Sequence, residues 1–334
     1  MLNSVHTKVC ITSLDKLLDK VSPFLEDIAE KLDTLLERDV QVLDSTLYQT
    51  TDFWFPEYQI GIDVNDWIHH QHSRPLVDFD KLSRANYHRD KVLAALKQDI
   101  KHIILWQNWV EDENKWAVLQ NIIMHSFKLH NKENSTTVYG RNTEVRFIDR
   151  NSDDTKAFLN KNALFGHHGG SHSVGLFDKK TGELLMVMTN RYKKDTGVLL
   201  CERMAAKQGY NIPGGVSKII KFVERNVCFS SWTFFIVLDY GYGYGLEAAG
   251  FTPTKVQTVL MQYQVADDVA LSRGRGSYRE FMDNIANGVE ARIYLAGTRK
   301  FVKDNPTNHS ACSLGNCTHG FQDAVTKDKV KQVK

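Results

Sequence analysis

Across residues 11–37 the apolar positions Leu14, Leu17, Leu18, Val21, Leu25, Ile28, Leu32 and Leu36 recur at spacings of three and four. That period predicts an amphipathic helix, kinked or divided at Pro23. After Arg38 the pattern changes to short apolar and aromatic runs. Residues 39–43, 51–55 and 58–64 read as strands, the last two joined by a turn at Pro56 and Glu57. A second helix is expected over 78–99, a buried strand over 100–106 with its run HIILW, and a third helix over 112–129.

The polar run NKENST at 131–136 marks a boundary, and a new pattern follows it. Strands are expected at 145–148, 173–177, 184–190, 197–201 and 232–238, with a helix over 216–226 between the last two and a final strand at 291–295. Beyond Lys303 the chain is polar and lysine-rich, as a tail is. The expected division is 1–132, 137–303 and a tail at 304–334.

Composition narrows the classes. The chain has 334 residues, more than one core usually serves, and its 42% hydrophobic and 25% charged residues match a globular protein. Its apolar stretches, such as 232–238, fall far short of the roughly 20 residues of a membrane-spanning helix, and the N-terminus lacks the layout of a secretion signal. The cytoplasm is the expected compartment, with no membrane partner. Cys10, Cys201, Cys228, Cys312 and Cys317 are too few and too scattered for a disulfide framework, so reduced thiols are expected. A net charge of +2 does not announce a nucleic-acid binder, and any such reading must rest on local sites.

The run TDFWFPEYQIGIDVNDWIHHQH at 51–72 concentrates candidate chemistry. Asp52 lies on one strand and Asp63 near the end of the next, with Asn65, His69, His70 and His72 just beyond. Carboxylates at strand ends can hold a hard cation, and a bound Mg²⁺ assists phosphodiester cleavage. A nearby histidine can exchange a proton near neutral pH. By residue type alone the plainer account makes the aspartates turn residues and the histidines a solvated loop.

In its order of residues the run resembles the very-short-patch-repair type of nuclease within the PD-(D/E)XK superfamily, most closely the version in phage homing-endonuclease-like proteins. Asp52, Pro56, Asp63, Asn65 and His70 stand at the matching positions, and the stretch YHRDKVLAALKQDIKHIILWQNW extends the likeness over most of 45–130. Asp63 replaces the family's usual Glu, and Gln107 and Asn108 replace commonly acidic residues. The resemblance implies a restriction-endonuclease-like α/β domain, a mixed sheet flanked by helices. In it Asp52 and Asp63 would bind Mg²⁺ or Mn²⁺, and His70 would assist proton transfer. Asn65 and His88 would support them, and Lys91 would reach a phosphate or sit in solvent.

A separate signal is NIPGGVSKIIKFVERN at 211–226. Gly214 and Gly215 precede a helix opened by Val216, Ser217 and Lys218, whose Ile219, Ile220 and Phe222 suit burial. Glycines admit a ligand close to the backbone, and N–H groups at a helix start attract phosphate. A tight turn alone also explains two glycines.

The ordered segments FLNKNALFGHHGGSHSVGLFDKKTGELLMVMTNRY, LLCERM, IPGGVSKIIKF, YGLEAAGF and IYLAGTRKFV resemble the C-terminal domain of the same phage proteins, which looks like the GNAT acyltransferase fold. This implies a GNAT-like α+β domain with acetyl-CoA at Gly214, Gly215, Val216, Ser217 and Lys218. Glu202, His167, His168 and Tyr244 are possible bases. Arg191, Lys193, Lys194, Lys218, Lys221 and Arg225 suit DNA phosphates or a solvated basic face equally. His309, Cys312, Cys317 and His319 carry zinc-ligand chemistry at a spacing unlike that of structural sites.

The leading expectation is a phage- or prophage-encoded Mg²⁺-dependent DNA endonuclease, a hydrolase acting in the host cytoplasm, with the GNAT-like domain aiding recognition of DNA or a partner. Its rivals are an acyl-CoA-dependent acyltransferase with a degenerate nuclease fold, and a non-catalytic phage protein that binds DNA or a host protein.

Overall fold

The computed structural model describes residues 2–43, 50–66, 81–129, 136–168, 170, 172–264, 269–274 and 291–304. In chain order its elements are α1 (Leu2–Leu32), β1 (Glu37–Gln41), β2 (Thr50–Phe55), β3 (Ile60–Asn65), α2 (Lys81–Lys97), β4 (Lys101–Trp106), α3 (Gln107–Glu111), α4 (Glu113–Ser126), β5 (Thr136–Thr137) and β6 (Thr143–Ile148). There follow α5 (Asp153–Asn162), β7 (His172–Asp178), β8 (Leu184–Lys193), β9 (Val198–Ala206), β10 (Tyr210–Asn211), α6 (Gly215–Asn226), β11 (Ser231–Val237), α7 (Tyr244–Ala248), β12 (Thr252–Gln264), β13 (Val269–Gly274) and β14 (Ala291–Asp304). The chain is mixed α/β. It forms two compact units: Met1–Trp116 with Ile236–Tyr242 and Lys255–Arg299, and Ala117–Phe235 with Gly243–Thr254 and Lys300–Lys334.

In the first unit the strand order is β1-β2-β3-β4, with β1, β2 and β3 antiparallel and β4 parallel to β3. A parallel pair needs a crossover, and the segment carrying α2 supplies it. All six residues of β3 are buried, so its run IGIDVN carries Asp63 and Asn65 into the interior. Leu17, Val21, Leu25 and Ile28 form the buried stripe of α1. Pro23 lies on the exposed side of that helix, which continues through it. The N–H groups on the outer edge of β4 find acceptors in 236–242. Ile104 donates to the Asp239 carbonyl at 2.7 Å, and His102 donates to the Tyr242 hydroxyl at 2.5 Å.

In the second unit β6, β7, β8 and β9 form an antiparallel meander, and β11 then pairs parallel to β9 through the α6 crossover. Leu159 of α5 packs with Val187 and Ala205 on one face of this sheet. The adjacent Met186 faces the opposite side, where a Cβ on Gly215 would meet its Sδ at 2.9 Å. So α5 and α6 cover opposite faces. The α5 helix, which hydrophobic periodicity does not reveal, is announced by its cap: Ser152 accepts from the Thr155 N–H, and Asp153 and Asp154 occupy the first turn.

Strand β9 departs twice from regular pairing. It joins β11 only through Val198–Leu200 against Ser231–Thr233, although it runs on to Ala206. Across β8, Thr189 pairs with Arg203 and Asn190 with Cys201, so Glu202 is left over in a β-bulge. Among the described residues no helix is long and apolar enough to cross a membrane.

Candidate functional site

In the first unit, strand register and one helix gather a buried polar cluster. Phe53 pairs with Ile62, so one step along the ladder Asp52 faces Asp63. The Lys91 ammonium, on α2, donates to Asp63 Oδ2 at 2.5 Å and to the Thr50 carbonyl at 2.6 Å. Thr51 Oγ1 donates to Asp63 Oδ1 at 2.9 Å, and His102 Nε2 stands 3.0 Å from Oδ2, off the hydrogen-bond axis. Gly61 makes room for this arrangement, because a Cβ there would lie 3.1 Å from the His102 ring and 3.2 Å from Thr51 Oγ1.

Burial alone would raise the Asp63 pKa, but His102 and Lys91 outweigh it and hold the carboxyl well below the usual range. Burial also works against the Lys91 charge, yet Asp63 keeps the ammonium more firmly protonated than usual. Asp52 accepts the Val64 N–H at 2.7 Å. Burial first, and the Asp63 charge second, push its pKa up to about 7.

Asp52, Asp63 and Lys91 thus come together. Beside them Asn65 Nδ2 lies 3.4 Å from His88 Nδ1, and the His88 ring stands edge-on to Trp106 at 4.8 Å. His70 lies outside the described residues, as do His309, Cys312, Cys317 and His319. Sequence reasoning missed Thr51 and His102. The histidine stood in plain view in HIILW, but nothing local tied it to a carboxylate 39 positions earlier.

In the second unit the candidate site is the start of α6 together with the strands that part beside it. Gly214 has φ 79°, caps the helix without a side-chain bond, and has open space where a Cβ would stand. The Gly215 N–H donates to the Ile212 carbonyl, and the Lys218 N–H donates to the Gly214 carbonyl. Val216 and Ser217 sit at the helix start, where N–H groups have no intrahelical acceptor. The Lys218 ammonium turns back into the fold, donating to the carbonyls of Gly140, at 2.7 Å, and of Thr143. Glu202, on the bulge, holds Arg191 Nε at 2.8 Å. Burial pushes the Cys201 thiol far above its ordinary value, which disfavours a thiolate there.

No protein-family model matches the chain, and no curated protein matches it by sequence. Among solved structures it is similar to a spermidine N-acetyltransferase from Vibrio cholerae at 9% identity and TM-score 0.33, over 52% of this chain and 99% of the other. It is also similar to an aminoglycoside 6'-acetyltransferase type Ii at 9% identity and TM-score 0.31, over 48% and 97%. A ribosomal-protein-S5-alanine acetyltransferase from Vibrio fischeri matches at 11% identity and TM-score 0.30, over 50% and 95%. Each of these likenesses spans about half of this chain.

The expectation of a Mg²⁺-dependent DNA endonuclease, a hydrolase of homing type, is corrected. The solved structures that the chain resembles are acetyltransferases. Among the described residues no three His, Cys, Asp or Glu side chains gather as a metal-ligating group. The reason is visible at Asp63, whose two oxygens accept from Thr51 and Lys91, with His102 Nε2 3.0 Å from Oδ2. The Lys91 ammonium already compensates the charge of that carboxylate.

Proposed function

We propose that the second unit is an acyltransferase that uses an acyl-CoA such as acetyl-CoA. The observation that carries this is the parting of β9 from β11 after three paired residues, beside the start of α6. Past Leu200 β9 continues to Ala206 without a ladder to β11 among the described residues, which leaves a strand edge beside the start of α6. A thin, amide-bearing chain such as pantetheine can add to that edge as a strand would. At the helix start, Val216 and Ser217 offer N–H groups beside exposed Gly214, which suits a pyrophosphate. Lys218 has a different part, because its bonds to the Gly140 and Thr143 carbonyls brace the loop that presents those N–H groups.

When bound, an acyl-CoA supplies the acyl group and a thiol leaving group. An acceptor amine then forms the new C–N bond as the C–S bond breaks, and the proton that the amine loses ends on the departing sulfur. Backbone N–H groups along the edge of β9 beyond Leu200 can stabilise the oxyanion that develops. With its thiol held protonated by burial, Cys201 is a poor nucleophile, which favours direct transfer over a route through that thiol.

Calorimetry of the full chain with acetyl-CoA tests this reading. Saturable binding is expected, weakened at least tenfold by Gly214→Val, which removes an open φ-positive position. Absence of heat and of any thermal shift at millimolar acetyl-CoA overturns it.

A further inference from the structure

The face of the second-unit sheet that carries α5 holds polar atoms that the fold does not satisfy. One row runs straight across four strands: Ile148, Ser173, Thr189 and Arg203 are successive register partners, so their side chains share that face. Ser173 is 2% exposed and Thr189 fully buried, yet neither hydroxyl has a hydrogen-bond partner among the described residues. Leaving such groups unsatisfied is costly, and here two of them are neighbours in one row.

The surroundings of the row are cationic. Arg203 Nε donates to the Gly166 carbonyl at 3.0 Å and its Nη1 donates to the Glu202 carbonyl at 2.7 Å. Arg150 Nη1 donates to the Gly170 carbonyl at 2.5 Å. Gly170 lies directly on the row, since a Cβ there would come within 3.5 Å of Thr189 Cβ and 3.0 Å of the Asn190 carbonyl oxygen. His167, following Gly166, contributes a third buried and unpartnered atom, its Nε2. Two guanidinium groups therefore hold the backbone at Gly166, Glu202 and Gly170.

From the row of Ser173, Thr189 and Arg203, we infer that this face receives the carboxylate of the acyl acceptor, an amine that carries a carboxylate as an amino acid or a peptide C-terminus does. The inference deepens the acyltransferase reading and rests on it. Hydroxyls roughly 5 Å apart across a strand pair can each donate to a carboxylate oxygen, and positive charge at Arg203 and Arg150 favours an anion. A cationic polyamine would meet those charges with the wrong sign. The location also fits, because Arg203 follows the bulged Glu202 where β9 leaves β11.

The test measures thiol release from acetyl-CoA by the full chain with matched acceptors: glycine and β-alanine, the dipeptide glycylglycine, the amides glycinamide and β-alaninamide, and spermidine. At least one carboxylate acceptor is expected to exceed its amide about tenfold in kcat/KM. The variants Ser173→Ala and Thr189→Val should raise KM for that acceptor and leave kcat, acetyl-CoA binding and the amide rate within twofold. Arg150→Gln is a second route should either core substitution fail to fold. Amides or spermidine used as well as the carboxylates overturn the inference while acetyl-CoA binding keeps the acyltransferase reading. Equal losses on acid and amide reduce the row to a seat for buried water and also overturn it. No acetyl-CoA binding at all overturns both.

Discussion

Lys91 and Asp63 are 28 positions apart and meet at 2.5 Å with their side chains only 5% and 7% exposed. A buried pair of this kind stabilises little relative to apolar residues, but loss of one partner strands the other charge. Lys91→Met is therefore expected to cost about 3 kcal/mol, read from urea unfolding, with Asp63→Asn in the same chain recovering part of it. Equal stability of Lys91→Met and the parent would show that His102 and Thr51 suffice.

Asp63 also sets the acid limit of the first unit. Its folded pKa is depressed, so the stability it contributes is complete above the unfolded carboxylate range and is lost as pH falls through the folded value. Asp63→Asn should flatten the acid end of the unfolding curve. An acid midpoint that does not move would contradict this.

Asp52 acts in the opposite sense. Its folded pKa, raised from 3.8 to about 7, means that the folded state binds more protons than the unfolded one between those values. Stability attributable to Asp52 is then greatest in acid and declines as pH rises through that window. Asp52→Asn, which keeps an acceptor for the Val64 N–H, should remove most of this slope between about pH 5 and 7.5 in thermal melts. A slope that persists would assign the effect to another group.

Gly215 is fixed by packing, not by its backbone angles. A Cβ there would lie 2.7 Å from Ile212 Cγ2 and 2.9 Å from Met186 Sδ, so Gly215→Val forces α6 off the sheet. Overpacking of this sort costs about 1–3 kcal/mol. Melting temperature should fall accordingly, and acetyl-CoA affinity should fall with it if the helix start holds the pyrophosphate.

For Cys201, burial predicts inertness. Alkylation by iodoacetamide at about pH 7.5 should be far slower than for a solvated thiol, and Cys201→Ala should transfer acyl groups within twofold of the parent rate. A covalent acyl adduct on Cys201, seen by mass spectrometry, would replace direct transfer by a two-step route.

The sequence by itself determined the local elements. The leucine stripe of α1, the hairpin around Pro56, the β3 and β4 strands and the α6 helix behind Gly214 all follow from periodicity and turn chemistry, which act over a few residues. It also supplied the residues of the first-unit cluster, with Asp52, Asp63 and Lys91 on neighbouring elements. It did not supply their chemical state. Two aspartates eleven positions apart look like metal ligands until the fold brings Lys91 and His102 onto one of them, and the electrostatic partners of a buried charge come from strands and helices far away in the chain. In the same way LLCERM reads as a strand, yet nothing in it announces that β9 parts from β11 after Leu200, or that Arg203 shares a row with Thr189 and Ser173. Register, bulge and strand separation are properties of pairing between distant segments, and only the tertiary structure decided them.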